Sequence, residues 1–180
     1  MNVLNSLHSN LLRKKSGASV YTATGTYVEY RSGNVYTLVF TSDATLTINS
    51  SGISSIDVLV VGGGGGGGGA NQTSTGSFGG AGGGGGGIAN TSSIAITTNT
   101  AYSIVVGSGG AGGDGYTNAT GSDGSDSTFS GTNITTLTGV GGDGGGGGNA
   151  GTSSTVNGVG GLGELGTNNY SGGNGGKIVL

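Results

Sequence analysis

The residues able to do chemistry are few. His8 is the single histidine, no cysteine is present, and the carboxylates are spread along 180 residues. General acid–base and nucleophilic catalysis both need a base held within hydrogen-bond reach of its partner. His8 has no carboxylate near it in sequence. Among Asp43, Asp57, Asp114, Asp123, Asp126 and Asp143, nothing singles out a pair. The sequence therefore predicts a protein that is not an enzyme. No cofactor is expected either. A phosphate-binding loop needs Lys followed by Ser or Thr after its glycines, and no glycine run here ends that way.

One stretch does match a ligand motif. Gly109-Gly110-Ala111-Gly112-Gly113-Asp114-Gly115-Tyr116-Thr117 fits the calcium-binding nonapeptide of parallel β-rolls. The next nine residues keep only Gly121 and Asp123 in register. A roll closes its calcium sites between several tandem turns, and this chain has one and a half. In a sequence so rich in glycine a single match arises by chance. Asp114, Asp123 and Asp126 read as solvated carboxylates, with weak cation binding the alternative.

Charge excludes more. Charged residues make up 7% of the chain, against about 25% in ordinary domains. Between Arg31 and Lys177 every charge is negative. Such a body cannot neutralise phosphates, so nucleic acid is not an expected partner. The apolar runs are a few residues long, too short to insert in a membrane. Without cysteine there is no disulfide framework and no thiolate metal site.

Three regions follow from the patterning. Residues 1–17 read as a short α-helix, with Val3, Leu7 and Leu11 on one stripe and Leu4 and Leu12 beside it. Arg13, Lys14 and Lys15 suit its last turn, and Gly17 is a natural stop. A helix this short needs a docking surface, on the chain's own body or on a partner. Leu4, Leu7, Leu11 and Leu12 are the residues that would anchor it. Residues 18–61 read as β-strands: "TYVEY", "VYTLVF", "ATLTI" and "SIDVLVV", each bounded by turn residues, predict an antiparallel sheet or sandwich.

Residues 62–180 form a glycine-rich region with interleaved strands. Forty-eight of the 180 residues are glycine. The runs are 62–69, 79–87, 107–115, 141–148 and 172–176. Strand-like segments are 88–96, 101–106, 134–140 and 177–180. Short polar stretches lie at 70–78, 116–126, 152–157 and 167–171. The order is strand, run, polar tip, run, strand, as if the chain made repeated excursions from a β base.

Ordering this much glycine costs on the order of tens of kcal/mol relative to alanine. Something that only glycine permits must offset that. Close approach of backbones is such a thing. Extended runs with three residues per turn have no internal hydrogen bonds and point their N–H and C=O groups outward. Lacking Cβ atoms, they can lie side by side and bond to one another. The expected fold is mainly β: an antiparallel β base, a polyglycine-II-like bundle of glycine runs, and the short N-terminal α-helix. A flexible linker is the alternative, but a linker needs neither interleaved strands nor return journeys.

The order of elements carries a resemblance. "YTLVFTSDATLTI", "SSIDVLVVGGGGGGGG", "GGAGGGGGGIANTSSIAITTNTAYSIVVGSGGAGGDG", "STF" and the terminal "GGNGGKIVL" resemble the glycine-rich domain of bacteriophage tail fibres and adhesins. The resemblance spans residues 36–180. It implies a virion protein on the exterior of the phage particle, a tail fibre or adhesin subunit whose tip loops face a host surface receptor. Carried over by position, Phe78, Tyr116 and Tyr170 would be the receptor-contact aromatics, with capping of the bundle ends as their alternative role. The N-terminal region would contact other virion proteins. Exposed sheet edges favour a homo-oligomer, and fibre biology favours a trimer. The alternatives are a capsid-decorating fibre, a minor virion protein without a receptor role, and an ice-binding or calcium-binding glycine-rich protein.

Overall fold

A computed structural model of the chain describes residues 19–73, 76–148, 163–164 and 168–170. The expected N-terminal helix lies outside them, as do the polar stretch 152–157 and the final segment 177–180. Among the described residues there is no helix, and the chain is mainly antiparallel β.

Alternation places the early strands where the sequence puts them. β1 (Tyr21–Ala23), β2 (Tyr27–Ser32), β3 (Val35–Phe40), β4 (Ala44–Ile48) and β5 (Ser55–Val61) follow in order. β4 buries Ala44, Leu46 and Ile48 and turns its threonines the other way. That is the period-two signature of a half-buried strand. The tip hairpin β6 (Asn71–Thr73) and β7 (Gly76–Phe78) comes next, then β8 (Ile88–Ala95), β9 (Ala101–Val105), β10 (Ser127–Gly131) and β11 (Ile134–Gly139). Two short strands, β12 (Gly163–Glu164) and β13 (Asn168–Tyr170), complete the set.

The strands form two main sheets. One runs β1-β4-β9-β10-β11-β12 and the other β13-β8-β5, while β2 and β3 pair only with each other. The sheets enclose Val60, Ala89, Tyr102, Phe129 and Leu137. Tyr102 and Phe129 stack with ring centroids 5.8 Å apart. The Tyr102 ring lies over its cross-strand partner Gly131, where a Cβ would fall 2.4 Å from the ring edge. Its phenol oxygen accepts a 2.6 Å hydrogen bond from the Thr97 amide, so the buried polar atom is satisfied.

The β5–β8 pairing shifts register between Ile56 and Val58. Opposite the bulge, Ser93 adopts φ 58°, and its amide donates to the Asp57 carboxylate at 2.7 Å. On the outer hairpin, Tyr21 packs edge-on against Tyr27 and Tyr36, and Arg31 sits over the Tyr36 ring. Tyr21 donates a short hydrogen bond to Glu29. Burial, with that carboxylate beside it, pushes the Tyr21 phenol well above its usual range.

Candidate functional site

Five glycine-rich runs leave or enter the sandwich at one end. The first, 62–69, continues β5; the second, 79–87, leads into β8. The third, 107–115, continues β9; the fourth, 119–126, leads into β10; the fifth, 140–148, continues β11.

The first run is the hub, and its bonds recur every third residue. Gly62, Gly65 and Gly68 donate to Gly87, Gly84 and Ala81 of the second run, at 2.8–2.9 Å. Gly63, Gly66 and Gly69 donate to Ser125, Ser122 and Ala119 of the fourth. The carbonyls of Gly64 and Gly67 accept from Gly110 and Gly113 of the third, and those of Gly63, Gly66 and Gly69 from Gly142, Gly145 and Gly148 of the fifth. The outer runs bond among themselves too: Ala81, Gly84 and Gly87 donate to Gly146, Asp143 and Val140. From these registers, the first, third and fifth runs are parallel, and the second and fourth are antiparallel to them.

Glycine is required by this spacing. A Cβ on Gly66 would lie 2.0 Å from the Ala111 carbonyl oxygen, one on Gly68 2.0 Å from that of Gly146, and one on Gly83 2.2 Å from that of Gly65. The burial pattern has the same period: Gly63, Gly66 and Gly69 are buried in the first run, and Gly142, Gly145 and Gly148 in the fifth.

The fourth run corrects the sequence reading of 116–126 as one polar tip. Residues 119–126 are a run of the assembly. Only Gly121 and Gly124 face inward, where a Cβ would come within 2.0 and 2.2 Å of the Gly66 and Gly63 carbonyls. Ser122, Asp123, Ser125 and Asp126 are exposed. One inward position in three suffices at the edge, so the other two carry polar side chains and the segment looks like a loop. Asp123 and Asp126 are backbone acceptors here: their carboxylates take the amides of Gly144 at 2.7 Å and Gly141 at 2.8 Å. At the base, Asp43 takes the Val106 amide and the buried Ser127 hydroxyl takes that of Gly107, which fixes where the third run departs.

The far end is a small platform. Hairpin β6–β7 closes the first excursion, and residues 114–118 close the second. The two meet: Tyr116 donates its amide to the Ala70 carbonyl at 2.7 Å, and Asn71 forms an antiparallel bridge with Thr117. Tyr116 has φ 95° and is 72% exposed, and Asn118 has φ 57°. Tyrosine seldom adopts positive φ, and such strain gathers at functional sites. Thr117 closes the turn by donating to the Asp114 carbonyl.

The predicted site residues separate. Phe78, in β7, and Tyr116 belong to the far end. Tyr170 does not: it lies in β13 opposite Ile88, where the second run enters the sandwich. The reason is pairing, since residues 168–170 add a strand to the edge of β8 instead of ending an excursion. Leu4, Leu7, Leu11 and Leu12 fall outside the described residues. Among the described residues no cluster of His, Cys, Asp or Glu could hold a metal ion.

The profile of the glycine-rich domain family matches residues 40–179, which takes in β4 through β13 and all five runs. The chain belongs to that family. Comparison with curated proteins and with solved structures returns no match. The glycine-rich domain thus begins at the end of β3 and includes strands of the sandwich as well as the runs. Base and runs are one continuous assembly, because the runs extend the strands.

Proposed function

We propose that this glycine-rich domain is part of a bacteriophage virion structural protein, a tail fibre or adhesin subunit on the outside of the particle. On this reading the runs are polyglycine-II-like rods and the protein is not an enzyme. The base and the N-terminal region meet other virion proteins, and the platform at the far end faces a host surface receptor. Self-association to a homo-oligomer fits β5, which pairs only with β8 among the described residues, and a trimer fits a fibre.

One observation carries the proposal. The runs all depart from one end of the sandwich, and the strained, exposed Tyr116 sits at their far end, where two excursions meet. A rigid stem holding a loop away from its base suits display. Tyrosine among Asn, Thr and Gly is the composition of adaptable recognition loops.

Electron microscopy of the virion with this subunit labelled tests the reading. Label at the tail tip or along a fibre supports it. Label confined to the capsid shell would overturn the adhesin assignment in favour of a decorating fibre, and an unlabelled virion would overturn both.

A further inference from the structure

An apolar groove of about 870 Å³ opens beside the base, between hairpin β2–β3, strand β5 and the end of β9. Val35, Val39, Leu59, Val61 and Val105 line it, and all five are at least 40% exposed. Five large apolar side chains left open around one groove are unusual for a finished protein surface. The hairpin forming one wall is a two-stranded sheet, an element that is marginal without a covering layer.

The chain itself holds a matching piece. Val20 and Tyr21 line the same groove, so the described part of the chain begins beside it. The segment before Ser19 carries Val3, Leu4, Leu7, Leu11 and Leu12 at helical spacing. Fourteen helical residues measure roughly 21 Å. The seven residues of β5, the groove's long wall, measure roughly 23 Å. A helix too short to stand alone and a groove too apolar to stand open would each complete the other.

We propose that residues 2–15 of each chain seat as a helix in that chain's own groove, with Leu4, Leu7, Leu11 and Leu12 against Val35, Val39, Leu59 and Val61. The base is then closed by its own N-terminus. Contacts with the particle fall to the helix's polar side and not to a free leucine stripe. The inference stands whether or not the virion reading holds.

Because the chain has no cysteine, single thiols report shielding cleanly. In the full chain, Leu59→Cys should react with a soluble thiol reagent about tenfold or more slowly than Val28→Cys, which is exposed outside the groove. Adding Leu7→Asp and Leu11→Asp should bring the two rates together. Equal rates in the chain with its leucines intact would overturn the proposal, and that comparison requires no helix variant to fold. Shielding that disappears on dilution would overturn it as well, by assigning the groove to a second copy.

Discussion

The amide of Gly66 donates to the Ser122 carbonyl at 2.9 Å, and the place where a Gly66 side chain would begin is 2.0 Å from the carbonyl oxygen of Ala111. Three runs meet at one residue that has no side chain. Gly66→Ala should therefore destabilise the protein by about 1–3 kcal/mol through overpacking against backbone that cannot swing aside. Gly67→Ala supplies the contrast, because its Cβ would meet nothing closer than the Ala81 carbonyl at 3.6 Å. It should be neutral or stabilise by about 0.5–1 kcal/mol, alanine being easier to order than glycine. Urea denaturation of the two variants separates required glycines from tolerated ones.

The aspartates of the fourth run should matter for stability and not for metal. Asp123 and Asp126 accept from Gly144 and Gly141, three residues apart on each side. Both carboxylates are exposed, so each substitution to Ala should cost about 1 kcal/mol, the value of an ordinary hydrogen bond and below that of a buried charged one. Removing divalent cations with a chelator should leave the melting temperature unchanged. A chelator-sensitive melt would instead return these residues to cation binding.

Much of the base was legible because its strands alternate. The segments "VYTLVF", "ATLTI" and "SIDVLVV" become β3, β4 and β5 with the bounds their turns suggest. The fourth run was not legible, since Gly121-Ser122-Asp123-Gly124-Ser125-Asp126 has loop composition and only packing shows that one residue in three faces inward. β10 hid for a related reason: its "STFSG" has one large apolar residue, Phe129, and its glycine is covered by the Tyr102 ring. Tyr170 was misplaced because membership of β13 depends on pairing with distant β8, and three polar residues carry no periodic signal of it.

At the far end, Tyr116 combines a strained backbone with an exposed side chain. Tyr116→Gly should relieve the strain of φ 95° and raise stability by about 1 kcal/mol. If the platform meets a receptor, the same change should reduce adsorption of particles to host cells. Denaturation and an adsorption assay on one variant give both signs. A variant that adsorbs like the parent would remove Tyr116 from the recognition surface.

Tyr21 sets an alkaline limit. Its phenol is raised in the folded protein, so the unfolded chain releases this proton first. The stabilising contribution is complete below about pH 10, the ordinary tyrosine value, and declines as pH rises beyond it toward the higher folded value. Thermal melts from pH 8 to 11 should show a steeper alkaline decline in the parent than in Tyr21→Phe. Matching slopes would assign the decline to other groups.

The central claim is that the glycine runs are packed and bonded to one another, and backbone amide exchange tests it most directly. Gly63, Gly66 and Gly69 donate to the fourth run and are buried, so their amides should exchange orders of magnitude more slowly than those of an unstructured glycine chain. Gly62, Gly65 and Gly68, which donate to the second run, should be protected with them, and Gly64 and Gly67, for which no donor bond is seen among the described residues, should exchange faster. Fast exchange at all eight glycines would contradict the account and leave the runs as flexible linkers between the strands.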